Sequence, residues 1–208
     1  MVDKNAVRRG YDALAEAYAA DRNEDGRGRE VLSRFLDGVS ESARVLDAGC
    51  GQGTPVLRDL SESAAAVGTD VSRSQLELAD ERVPAASLAQ GDMAALPFRD
   101  ESFDAVTAYH SLIHAPREQH QEVADEFARV LVDAGRLLCS EGPDEWSGTN
   151  PNWLDTGVEM QWHIAGAEAT REHLRTAGFV IEREWGVDDS LAEGDDASWT
   201  FFAARLEG

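Results

Sequence analysis

Lysine occurs once in this 208-residue chain, as Lys4, and cysteine only twice, as Cys50 and Cys139. The two cysteines sit in separate apolar segments and form no CxxC pair, which argues against a disulfide framework or a zinc site and leaves buried, inert thiols. No apolar run approaches the roughly 20 residues of a membrane-spanning helix. The first residues, MVDKNAVRRGYDALAEAY, hold no apolar signal core, so a cytoplasmic protein without a membrane partner is expected. Internal repeats and low-complexity tracts are missing as well. A hydrophobic fraction of 42% over this length suits one globular domain that buries its core without covalent staples.

What the chain has in excess is negative charge. Asp and Glu total 40 against 19 Lys and Arg, a net charge of -21. One reading is an acidic face for a cationic partner. The other is a hydrated surface that stays soluble in concentrated salt, where a Debye length of about 3 Å screens self-repulsion. The acids are dispersed rather than gathered in a tail, which favours the second reading, and the composition resembles that of proteins from extreme halophiles. No basic patch invites nucleic acid.

Hydrophobic periodicity divides the chain into alternating elements. Val7, Tyr11, Leu14, Ala15 and Tyr18 recur at helical spacing over 5–20, and a second helical pattern covers 28–38. Short apolar runs at 43–49, 64–70, 86–92, 103–110 and 136–142 read as buried strands. Helices are expected at 54–62 with Pro55 in the first turn, at 73–82 capped by Ser72, from Pro116 to Val130, and at 167–177 before Gly178. Residues 143–163 show no sustained period and read as a long irregular segment. FVIEREWGV and SWTFFAARLE, on either side of the acidic turn LAEGDDA, form a terminal hairpin. Strand–helix alternation implies an α/β fold with a doubly wound, mostly parallel sheet, Rossmann-like, with the hairpin as its antiparallel edge. Ligands on such sheets bind at the carboxyl ends of the strands.

Those ends carry the chemistry. The first strand runs into Asp47-Ala48-Gly49-Cys50-Gly51-Gln52-Gly53, where alternate glycines allow a tight turn and close approach of a ligand to the backbone. The helix that follows offers free N–H groups to a negative group. Such a loop alone also fits a plain strand–helix turn. The second strand, however, ends at Asp70, whose carboxylate suits the two hydroxyls of a ribose. The third runs into Gly91-Asp92-Met93, an acidic acceptor beside an apolar cover. The fourth ends at Tyr109-His110-Ser111. Together these point to an adenosine-type ligand.

The stretches VLDAGCGQGTPVLRDL, VGTDVSRSQLELA, GDMAALPFRDESFDAV and FARVLVDAGRLLCSEG resemble the class I S-adenosylmethionine-dependent methyltransferases over residues 10–142. GxGxG preceded by Asp47 differs from the GxGxxG of nicotinamide-binding domains. The resemblance implies a single methyltransferase domain: N-terminal lid helices over 1–40, a cofactor-binding core over 41–142, a substrate-side insert over 143–168, and a C-terminal helix and hairpin over 169–208. It implies S-adenosylmethionine as cofactor and S-adenosylhomocysteine as product. Gly49, Gly51 and Gly53 would line the methionine portion, with Asp47 near its ammonium. Asp70 would hold the ribose, Val71 would pack on the adenine, and Asp92 and Met93 would meet the adenine edge. Tyr109 and His110 would floor the site. Tyr11 and Tyr18, at i and i+7 on the lid helix, would cover the cofactor, with plain packing as the competing role.

Methyl transfer needs chiefly positioning and desolvation, and a general base only when the acceptor arrives protonated. His110, His114 and His163 are the candidate bases by residue type, each with packing as the alternative. The i,i+4 pair in HSLIH lacks the Glu of HExxH, so no metal is expected. Trp146, Trp153, Met160 and Trp162 form either an acceptor wall or a small satellite core. AYHSL departs from the Asn/Asp-Pro-Pro-aromatic motif of amino-directed DNA and protein enzymes, and two cysteines, one inside the glycine loop, argue against an arsenic acceptor. The expected partner is a small organic acceptor. An RNA or protein methyltransferase, and a non-catalytic S-adenosylmethionine-binding regulator, stand as alternatives, with an NAD-dependent oxidoreductase behind them.

Overall fold

The structure, a computed structural model, describes residues 2–21, 27–188 and 198–208. The acidic turn between the last two strands lies outside the described residues, as does part of the polar stretch after the first helix. Seven strands form one sheet in the order β3-β2-β1-β4-β5-β9-β8. These are β1 (Arg44–Ala48), β2 (Ala65–Asp70), β3 (Ser87–Gln90), β4 (Phe103–Ala108), β5 (Leu131–Glu141), β8 (Phe179–Asp188) and β9 (Ser198–Leu206). β1 to β5 pair in parallel, and β9 pairs antiparallel with both β5 and β8. The helices are α1 (Lys4–Asp21), α2 (Arg27–Leu36), α3 (Val56–Ser63), α4 (Arg73–Arg82), α5 (His120–Val130) and α6 (Ala167–Thr176). This is the doubly wound α/β fold that the alternation predicts.

Both faces of the sheet are covered, which is why its parallel strands read as continuous apolar runs. One face packs Leu46, Val106, Leu137 and Phe202 against Val123 and Phe127 of α5 and Leu174 of α6. The other packs Val45, Ala105, Leu138 and Phe201 against Phe35 of α2, Leu57 and Leu60 of α3, and Leu76 of α4. Each of these larger side chains contributes about 1.5–3 kcal/mol by leaving water. Ser72 caps α4 as expected, its Oγ accepting from the Gln75 N–H at 3.2 Å.

Three expectations need correction. Residues 143–163 are ordered as a two-stranded antiparallel sheet, β6 (Trp146–Trp153) and β7 (Val158–Ile164), separate from the main one. Pro116 does not open a long helix. It adopts extended backbone, a 3₁₀ turn follows over Arg117–Gln119, and α5 begins only at His120. β5 begins at Leu131, ahead of the glycine turn, because Leu131 pairs with Phe103 before Ala134 (φ 59°) shifts the register. In addition, Pro55 stands just before α3 rather than within it. Among the described residues no helix is long and apolar enough to cross a membrane.

Candidate functional site

The strand order reverses between β1 and β4, and a cleft opens over their carboxyl ends. Its enclosed volume is about 80 Å³, and about 770 Å³ when the open solvent at its mouth is included. Four loops after β1 to β4 and helix α1 surround it.

The floor is the glycine loop. Gly49 (φ 77°) and Cys50 both donate their N–H to the Thr69 carbonyl, at 2.8 and 3.0 Å, tying the loop to the end of β2. A Cβ on Gly49 would overlap Ser111, whose Oγ donates to the Ala48 carbonyl at 2.9 Å. Gly51 (φ 52°) is different. The nearest atom to a Cβ there is Gln75 Oε1 at 3.7 Å, so a side chain would project into unfilled cleft. Gly53 (φ 89°) does not line the cleft. Its open side faces Val83 and Ala79 at 3.0–3.3 Å, so this glycine lets the loop lie against α4 and its end.

The carboxylates are held in defined ways. Asp47 is buried, and its Oδ1 accepts from Thr107 Oγ1 at 2.8 Å. Asp70 accepts from the N–H of Gly51 (3.0 Å) and of Ser72 (2.8 Å), one on each oxygen. A carboxylate has about four lone-pair sites, so further donors can be accommodated. Burial pushes Asp70 up to about 6, against the pull of its two N–H donors and with a small push from Asp12. Asp92 stands outside the cleft lining. Its Oδ1 accepts from the Ala94 N–H, and its Oδ2 meets Lys4 of α1 at 2.6 Å.

Helix α1 forms the roof. Val7, Tyr11 and Tyr18 line the cleft. Asp12 accepts from Ser72 Oγ at 2.7 Å and from the Ser74 N–H at 3.3 Å. The Tyr11 hydroxyl lies 2.8 Å from His114 Nε2. Tyr109 presents its ring to the cleft, but its hydroxyl donates to the Gly28 carbonyl of α2 at 3.2 Å. His110 holds a left-handed backbone (φ 50°), anchored by its N–H on Ser140 Oγ, with its ring 4.4 Å from that of Trp199. Strained backbone of this kind is a frequent feature of ligand sites.

Of the residues singled out in the sequence, the cleft gathers Tyr11, Tyr18, Asp47, Gly49, Gly51, Asp70, Val71, Met93, Tyr109, His110 and His114. His163 is elsewhere, on β7 with its ring 5.3 Å from that of His120. Trp146 is half exposed on β6. Met160 is fully buried against Val2, Val7 and Leu14 of the N-terminal segment, with Trp153 and Trp162 packed around it. Met160, Trp153 and Trp162 build a satellite core with α1, Trp146 stands outside it, and none of the four lines the cleft.

Sequence reasoning missed Gln52 and Gln75. Both line the cleft and are essentially inaccessible. Gln52 Oε1 accepts from the Thr54 N–H and Oγ1, whereas its Nε2 has no partner, and neither amide atom of Gln75 has one. Orphaned buried amides facing a glycine cradle call for a polar ligand. A signal was available: Gln75 sits with Leu76 and Ala79 on the buried side of α4, a polar residue on an apolar face.

These features fit S-adenosylmethionine. Unfilled space at Gly51, a buried carboxylate at Asp47, a half-buried one at Asp70, and the unpaired amide atoms of Gln52 and Gln75 meet the donors and acceptors of an adenosyl amino acid. Fold and cleft together define a Rossmann-like methyltransferase architecture. Residues 45–135 match the methyltransferase domain family. The chain is similar to methyltransferase GfsG of Streptomyces halstedii, 39% identical over 62% of this chain and 46% of that one. It is also similar to 27-O-demethylrifamycin SV methyltransferase of Amycolatopsis mediterranei, 29% identical over 98% of this chain and 83% of that one. Among solved structures it resembles a Haloferax volcanii chain in complex with the Trm112 methyltransferase activator, with a TM-score of 0.78, 20% identity, and coverage of 97% and 98%. Residues 45–135 thus resemble a methyltransferase domain, and the relatives and the cradle together support S-adenosylmethionine as its cofactor.

Proposed function

We propose that this chain methylates a small organic acceptor by in-line displacement. When bound, S-adenosylmethionine supplies a methyl group on a sulfonium, an electrophile with a good leaving group. The chain's own part is to hold, orient and dry the reacting pair. Gly49 and Gly51 line the methionine portion, Asp47 faces its ammonium, and the Gln52 and Gln75 amides pair with its remaining polar atoms. Asp70 accepts from the ribose hydroxyls, Val71 and Met93 flank the adenine, and Asp92 accepts from its amino group at the rim. Tyr11 and Tyr18 close the roof above the acceptor space, over the floor made by Tyr109 and His110.

The observation that carries this reading is the cradle itself: side-chain-free space at Gly51 beside buried Gln75, whose amide has no partner, and Gln52, whose Nε2 has none. A small acceptor is supported by the enclosure of the cleft under α1 and by the relatives whose names give small-molecule substrates. A net charge of -21 weighs against a nucleic-acid acceptor. The dispersed acids support a protein suited to concentrated salt. Calorimetric titration with S-adenosylhomocysteine, followed by turnover on a panel of small hydroxyl, amine and thiol acceptors, tests the assignment. Tight binding with no transfer to any acceptor class, RNA and protein included, would favour a regulatory binding domain instead.

A further inference from the structure

A polar bridge from the roof of the cleft to the loop after β4 is aromatic and directional. His114 Nδ1 lies 3.4 Å from the Gln161 main-chain carbonyl of β7, which can only accept, so Nδ1 carries the hydrogen. In the neutral ring Nε2 is then a lone pair, and it faces the Tyr11 hydroxyl at 2.8 Å. The hydrogen-bond sense therefore runs from Tyr11 to His114 to the Gln161 carbonyl. The ring planes of Tyr11 and His114 meet at 90° with centroids 5.1 Å apart, and Tyr18 and Trp153 both pack edge-on against Tyr11. Both members of the pair line the same cleft as the glycine cradle.

We propose that Tyr11 and His114 form a proton relay for methyl transfer, and that the acceptor atom is therefore a hydroxyl oxygen on an apolar molecule. The inference rests on the methyl-transfer reading and adds the acceptor class to it. As the acceptor oxygen bonds to the methyl carbon, the carbon–sulfur bond breaks and its electron pair stays on sulfur. The acceptor's O–H proton passes to Tyr11 Oη while the Tyr11 proton passes to His114 Nε2. Charge and atoms balance: a cationic sulfonium becomes a neutral thioether, and the positive charge ends on the imidazolium. An amine attacks as its free base and a carboxylate arrives ionised, so neither needs a proton acceptor during attack. An ammonium would have to approach a sulfonium of the same charge. Val7, Tyr18 and Met93 give the neighbouring wall an apolar character that suits the body of such an acceptor. Burial lowers His114 to about 4, which keeps its ring neutral in the free protein.

Tyr11 is the catalytic member and His114 positions and drains it. The test uses the full chain and the variants Tyr11→Phe and His114→Gln. Calorimetry with S-adenosylhomocysteine should give affinities within about threefold of wild type, because Tyr11→Phe retains the ring and His114 is not among the residues proposed to hold the cofactor. Nitrogen-15 histidine NMR should show His114 protonated at Nδ1 and bare but hydrogen-bonded at Nε2, with the Nε2 resonance shifting in Tyr11→Phe. With substituted phenols as probe acceptors, both variants should slow phenol itself by at least 100-fold. They should barely affect 4-nitrophenol presented as its phenolate, a contrast that a merely structural defect would not produce. A protonated Nε2, an Nε2 resonance indifferent to Tyr11→Phe, or equal slowing of both phenols overturns the relay. Transfer to amines in preference to every hydroxyl overturns the acceptor class. A wild-type chain that fails to bind S-adenosylhomocysteine sinks the methyl-transfer reading itself, an outcome separable from all of these.

Discussion

Replacing Gln75 by Met should make the free protein more stable and its cofactor binding worse. Gln75 is fully buried on α4, and neither atom of its side-chain amide has a partner. An unsatisfied buried polar group costs roughly 1–3 kcal/mol. Methionine is unbranched and close in length, so it fills the same space without the amide, and the backbone N–H keeps its bond to Ser72 Oγ. The free protein should gain about 1–2 kcal/mol, which for a domain of this size raises Tm by about 2–8 °C. The bound form loses up to two hydrogen bonds, about 1–3 kcal/mol, or roughly 5- to 150-fold in affinity. Thermal denaturation by circular dichroism and calorimetric titration with S-adenosylhomocysteine read the two effects separately. A lower Tm in the free variant, or an affinity within twofold of wild type, would refute the claim that this amide is held in reserve for the ligand.

If Asp70 holds the ribose as proposed, cofactor affinity should depend on pH. Its free-protein pKa of about 6 should fall when ribose hydroxyls donate to it, so S-adenosylhomocysteine should bind about tenfold more weakly at pH 5 than at pH 7.5, and Asp70→Asn should abolish that dependence. The effect of Asp70 on stability has the opposite sense. Because the folded value is raised, its contribution is full below about pH 4 and is lost as pH rises through about 6, measurable as the difference between wild type and Asp70→Asn across that window. Gly49→Ala must place a Cβ at φ 77° against Ser111. Backbone strain and overpacking together cost about 2–4 kcal/mol, so Tm should fall by roughly 5–15 °C, and a loss under 2 °C would show that the loop gives way. Finally, if the charge of -21 is tuned to salt, Tm should rise steadily from 0.1 to 2 M potassium chloride as screening tightens. A flat profile removes that reading.

The cofactor half of the molecule was legible because its signals are local. Strands β1 to β4 are buried on both faces, so each appears as a short apolar run, and the residues after each run reach the cleft whatever the rest of the chain does. Gly53 shows the limit. Its φ of 89° confirms a backbone that needs glycine, but the reason is contact with Ala79 and Val83, which spacing within the loop cannot reveal. β6 escaped for a different reason. Most of its residues are exposed on both faces, so it has no alternation to detect, and Gly148, Asn150 and Pro151 read as loop. β5 was cut short because Ala134 and Gly135 make a turn-like interruption inside a strand that the pairing with β4 tolerates as an irregularity.

The roof of the cleft is built by a long-range packing arrangement, and that is why residue type alone ranked its members poorly. Gly10 of α1 lies against Met160 of β7, close enough that any Cβ would collide with the thioether, so the helix and the β6–β7 hairpin are fitted to each other across 150 residues of sequence. The apolar contacts of this pair are mostly mutual, in the cluster of Val2, Val7, Leu14 and Met160. Its attachments to the rim of the cleft are polar: Lys4 to Asp92, Asp12 to Ser72, Tyr11 to His114. Partly exposed ion pairs such as the first contribute about 0–1 kcal/mol, since water replaces them at little cost. The strong cohesion therefore lies within the roof, and the weaker links lie between roof and cradle. Two of those links end on Asp92 and Tyr11, residues that the cofactor and acceptor are proposed to touch.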